Sequence, residues 1–127
     1  HYIEQKTPYI HNSLFKLDST LGWNDRMGFR SGTASAYHPY DHANQKPLSH
    51  IEVPQVIMDS HLFDYQQSSK DLRRQQIDQV LDELAFAGGT ASIIWHQRVF
   101  HSDYNWGEEY AYLLNQSVKR SIDLTTK

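Results

Sequence analysis

Apolar residues recur along this chain with two different periods. In "SSKDLRRQQIDQVLDELAFAGG" (68–89), Ile77, Val80, Leu81 and Leu84 fall at helical spacing and form one apolar face. Ser69 suits the N-cap, Asp71 suits the positive end of the helix, and Gly88 with Gly89 supplies a left-handed stop. "NWGEEYAYLLNQSVKR" (105–120) predicts a last helix, with Trp106, Tyr110, Leu113 and Leu114 as its buried face. Asn105 and Glu108 there have capping-box spacing. "KTPYIHNSLFKL" (6–17) opens like a short helix capped by Thr7, with Pro8 at the first helical position.

The other period is that of strands. "FKLDST" (15–20) predicts a brief strand. "HIEVPQVIMD" (50–59) predicts a β-branched one in which Pro54 must sit at an edge, an end or a bulge, since it cannot donate to a ladder. "TASIIWH" (90–96) reads as a strand apolar on both faces, as in a sheet covered on both sides. Between them, residues 28–49 hold glycines, prolines and aromatics without a helical period, a long irregular stretch of the kind that is usually functional or disordered, its aromatics arguing against disorder. Strands alternating with helices imply one α/β domain over residues 1–127, with mostly parallel strands. Ligands in such sheets bind at the carboxyl ends of the strands, which is where His96 falls.

Composition narrows the picture. The 15 acidic against 12 basic residues form no basic stripe, which argues against nucleic acid as a partner. No apolar run approaches the ~20 residues of a membrane helix. The absence of cysteine excludes disulfides and thiolate zinc sites. Aromatics set among polar groups, as in "SAYHPYDH" and "SDYNWGEEY", suit either sugar stacking or ordinary loop anchoring.

Three constellations could carry chemistry. His38 and His42 in "HPYDH" have metal-pair spacing, but Pro39 pushes His38 out of helical geometry, so solvent-facing loop histidines are expected. Gly28 and Gly32 flank Arg30 and suggest tight turns that fix its guanidinium. "HSD" (101–103) is discounted, because triads assemble in space and not as consecutive residues.

Taken in order, "LDSTLGWNDRMGFRSGT" (17–33), "IEVPQVIMD" (51–59) and "GGTASIIWHQRVF" (88–100) resemble the C-terminal part of polysaccharide deacetylases, the NodB-homology or carbohydrate esterase family 4 group. The resemblance runs from about residue 14 to 114. It implies the C-terminal portion of a distorted (β/α)-barrel, with a groove at the strand ends and a polysaccharide or oligosaccharide substrate. It further implies removal of N- or O-acetyl groups with a divalent metal, zinc for preference. The metal ligands and catalytic base belong to motifs upstream of the matched region, so no metal ligand is assigned within this chain.

Ile94-Trp95-His96 resembles the family's closing motif, usually Leu-x-His, which would make His96 the general acid. Gln97 replaces the more usual Asn. The acidic partner that orients the histidine is Asp18 or Asp59. Arg30 would hold a carboxylate or substrate oxygen. The backbone N–H of Tyr2 would stabilise an oxyanion, and Trp23 and Trp95 could stack on sugar rings, Trp95 alternatively being core. The resemblance also implies an N-terminal half of the barrel as partner, and self-association in its absence. Two other functions stay open: a catalytically inactive carbohydrate-binding relative, and an unrelated small α/β domain in which His96 is structural.

Overall fold

A computed structural model describes residues 6–65 and 68–124. In chain order these form α1 (Thr7–Leu14), β1 (Leu17–Asp18), β2 (Tyr40–Asp41), β3 (Lys46–Pro47), β4 (Ile51–Glu52), β5 (Gln55–Met58), α2 (Asp59–Phe63), α3 (Lys70–Ala87), β6 (Ser92–Ile94), a 3₁₀ turn (Gln97–Phe100) and α4 (Gly107–Lys119). The architecture is mixed α/β. β1 pairs with β4 and β5 with β6, both in parallel, while β2 and β3 make a small antiparallel hairpin inside the long irregular stretch. Among the described residues these pairs do not close into a barrel. No helix there is long and apolar enough to cross a membrane.

The strand expected over 50–59 is one line of chain broken in the middle. Only Val53 and Pro54 separate β4 from β5, and the β5–β6 register shifts between Gln55 and Ile57. Pro54 sits in the break just before β5, at a strand end, where it donates nothing, and its carbonyl accepts from Ser92 N–H at 2.8 Å. The two halves differ in character. Val56 and Ile57 of β5 are buried and apolar, whereas Glu52 of β4 and the preceding His50 are buried and polar.

The core lies on the β5 side. Val56 and Ile57 pack with Leu62 of α2, with Ile77, Val80 and Leu81 of α3, and with Leu113 of α4. The apolar stripe of α3 is therefore the face that the sequence pattern predicts. Its caps follow suit: Ser69 accepts from Leu72 N–H, and Gly88 closes the helix at φ 61°. Other expectations shift. Thr7 is the first residue of α1 and not its cap. Asn105 adopts φ 56° to close a turn on His101 O, so Trp106 occupies the N-cap of α4 and no side chain caps it. The helix instead enters through stacking of Trp106 on Phe63, with ring centres 4.3 Å apart. Its fully buried line is Glu109, Leu113 and Ser117, with Trp106, Tyr110 and Leu114 half-buried beside it. β6 is not covered on both faces, because Ile94 is exposed.

Ile57 is the central test of this core, being fully buried between β6 and the helices. Ile57→Ala should lower unfolding free energy by about 2–5 kcal/mol in urea titrations. A loss under about 0.5 kcal/mol would mean that this layer is not packed as described.

Candidate functional site: a buried aspartate and an exposed histidine

The parallel register of β5 and β6 pairs Met58 with Ile94 at their carboxyl ends. Asp59 follows Met58 as the first residue of α2, and His96 stands two residues beyond Ile94, just before the 3₁₀ turn. The two side chains meet there. His96 Nδ1–H donates to Asp59 Oδ1 at 2.8 Å and lies 3.0 Å from Oδ2. Backbone donors complete the carboxylate's shell: His96 N–H to Oδ2 and Ser60 N–H to Oδ1, both at 2.8 Å.

Burial is lopsided across this pair. The Asp59 side chain is 1% exposed and that of His96 is 58% exposed. A carboxylate fixed by three donors thus sets the ring's orientation and tautomer, while the far nitrogen, Nε2, is left for an outside partner. Of the two acidic candidates, Asp59 is therefore the one joined to His96. Asp18 is engaged elsewhere, by His11 Nδ1 and by Thr20 N–H.

Below the pair lies a histidine that the sequence reading did not single out. His61 is buried; its Nε2–H donates to Trp23 O at 2.8 Å and its Nδ1 accepts from Met58 N–H at 3.1 Å. Both bonds require the neutral ring. Burial lowers its pKa from the ordinary value, against the pull of the Trp23 carbonyl and of Asp25 and Asp59. The sequence signal was available, since His61 falls three residues after Met58 at the start of a helix, but neither its burial nor its reach to Trp23 is local information.

Through His61 the loop of Trp23 and Arg30 is tied to the element that carries Asp59. Gly28 and Gly32 take φ 116° and 72°, the turns expected around Arg30. Arg30 Nη1–H donates to Gly22 O at 3.0 Å, and its guanidinium lies 5.5 Å from the Trp23 ring centre. Arg26 stands closer on the same ring, at 4.1 Å. Trp95 is packed half-buried against the core, 5.3 Å from the Tyr110 ring and edge-on to Phe63. Tyr2 lies outside the described residues. A cleft lined by Arg26, Gln76, Gln79 and Glu83 includes neither Asp59 nor His96.

"HPYDH" does not converge on a shared point. His38 Nδ1–H donates to His50 O, His42 packs edge-on to Tyr40, and Asp41 accepts from Ala43, Asn44 and Tyr9. A second polar group gathers instead on the β1–β4 pair. One ring nitrogen of His50 and one carboxylate oxygen each of Asp18 and Glu52 lie within 4.8 Å of one another, all three residues being buried. Alternation places His50 and Glu52 on one face of the predicted strand, which was legible in "HIE", whereas their convergence with Asp18 depends on strand pairing.

No known protein family, curated protein or solved structure matches the chain.

His61 gives the molecule a pH-dependent stability of defined sign. The unfolded ring takes a proton near pH 6.5, while the folded ring resists it, so stability is full above that value and falls as pH drops below it. Urea midpoints should fall between pH 7.5 and 5.5, and His61→Gln, which cannot protonate, should flatten that slope. An unchanged slope in the variant would show that His61 is not the group responsible.

Proposed function

We propose that this chain supplies the general-acid side of a polysaccharide deacetylase centre. The observation that carries the reading is the Asp59–His96 pair at the carboxyl ends of parallel strands, buried at the carboxylate and exposed at the ring. In the protonated ring both nitrogens are donors. Nδ1–H is held by Asp59, and Nε2–H is then free to give its proton to the leaving nitrogen or oxygen as the bond to the acetyl carbon breaks. Asp59 keeps the ring aligned through that transfer and stabilises its charge, the role a buried carboxylate plays behind any catalytic imidazole.

A divalent metal bound through upstream ligands would supply an activated water and a polarised acetyl carbonyl. The pair itself does not fit a metal: among the described residues no third ligating side chain groups with it. Arg30 and Trp23, tied to α2 through His61, are the groups for orienting a sugar. On this reading the two parallel pairs and their helices are the C-terminal portion of a distorted barrel.

His96→Ala in a full-length protein carrying the upstream motifs should cut acetate release from an acetylated oligosaccharide by about 10²–10⁴-fold with little change in melting temperature. Asp59→Asn should also lower turnover. The 127-residue chain alone should release no acetate. Near-normal turnover by His96→Ala, or metal-dependent activity of the chain alone, would sink the assignment.

The same reading concerns partners. Leu17 and Ile51, paired in register, are both exposed, as are Ile10, Leu14 and Phe15 at the adjoining end of α1. In the barrel reading an N-terminal half covers this apolar surface, and alone the chain should associate through it. Light scattering should show concentration-dependent association that Phe15→Asp weakens. A monomer at every concentration tested would count against the partial barrel.

A further inference from the structure

The polar half of the broken strand and its β1 partner bring together three side chains of metal-ligating type with no role in the His96 chemistry. β1 and β4 place Asp18 directly opposite Glu52, and His50 precedes β4 by one residue. All three are buried, and their ligand atoms converge within 4.8 Å. Convergence alone is not a site, since buried polar groups can also satisfy one another. The state of His50 is what separates the two cases.

Asn12 fixes that state. Its Oδ1 accepts from Ser49 N–H at 2.7 Å and from His50 N–H at 3.2 Å, so this atom is the oxygen of the amide and not its nitrogen. The same oxygen lies 3.3 Å from His50 Nδ1, which must therefore be the protonated nitrogen. Nε2 is then a bare lone pair. It is buried, within a fully buried residue, and no hydrogen-bond partner reaches it. A buried acceptor without a donor is costly and uncommon. It is also the electronic form in which imidazole binds a metal, with its other nitrogen oriented by an outer hydrogen bond.

We propose that Asp18, His50 and Glu52 form a three-ligand site for a zinc-class divalent cation, with His50 Nε2 as the nitrogen ligand. One imidazole and two carboxylates suit such an ion, and three protein ligands leave a position for water. The cation would satisfy Nε2 and offset two carboxylates that otherwise face each other across a buried strand pair. Asn12 orients His50 and His11 orients Asp18, as outer partners commonly do for metal ligands. The site stands independently of the deacetylase reading, whose metal is expected from other residues.

Zinc titration into the metal-stripped chain tests it directly. Calorimetry should give one tight ion per chain, and cobalt(II) should give the absorption of a low-coordinate nitrogen–oxygen site. Long-range ¹H–¹⁵N spectra should place the zinc-induced shift on His50 Nε2, a readout needing no variant. Asn12→Ala should weaken binding by about 10–100-fold. Glu52→Gln should abolish it, and His42→Ala should leave it unchanged. No binding by the wild-type chain at millimolar zinc, or a shift confined to exposed histidines such as His42 or His101, would overturn the proposal, whatever the outcome of the His96 experiments.

Discussion

The parallel pairing of β5 with β6 is the constraint on which the rest of the structure depends. It joins residues some 37 positions apart in the chain, and the meeting of Asp59 with His96 at that end follows from its register. With Met58 opposite Ile94, the residues just beyond both strands arrive at one place. Slipping the register by one residue would turn Ile57 out of the core and separate Asp59 from His96 in the same motion. The helices enforce it: Val56 and Ile57 are seated against α3 and α4, so the apolar packing that stabilises the fold also aligns the pair.

The break at Val53–Pro54 lets one line of chain serve two environments. Past it, β5 is apolar and belongs to the helical core. Ahead of it, β4 carries Glu52 between Asp18 on β1 and an antiparallel bridge to Tyr37. Burial raises the pKa of Tyr37, and the negative charge of Glu52 and Asp18 adds to that effect. Burial also pushes Asp18 upward, yet hydrogen bonds from His11 and Thr20 outweigh it and the net shift is downward. Carboxylates kept ionised beneath the surface need such partners, because desolvation alone would neutralise them. The polar half is thus stabilised by specific bonds where the apolar half relies on area.

Periodicity made α3 readable, because its stripe and both caps are properties of consecutive residues: Ile77 to Leu84 for the face, Ser69 and Gly88 for the ends. Placing His96 at a strand's carboxyl end was equally local. What the sequence could not decide was which carboxylate joins it. Asp18 and Asp59 both end predicted strands, and only strand pairing sends one to His96 and the other to His11. The Asn105 cap failed for a related reason: Asn tolerates left-handed geometry, and the preceding turn used that freedom before the helix could use the side chain. The hidden role of Asn12, four times an acceptor for residues 49 and 50, left no trace in spacing at all.

A second histidine–aspartate contact shows why distance is a poor guide to such pairs. His101 Nδ1 lies 2.9 Å from Asp103, almost the separation seen between His96 and Asp59. Yet its members are two residues apart, and both side chains are largely in water, 75% and 57% exposed. Solvent screens that contact, so its worth is small. Asp59 instead has its shape dictated by two backbone N–H groups from two different elements, one of them the histidine's own. The carboxylate cannot turn without breaking the join between α2 and the end of β6. The fold therefore holds the exposed His96 ring by its Nδ1 edge, a preorganised geometry that a surface pair of equal length does not possess.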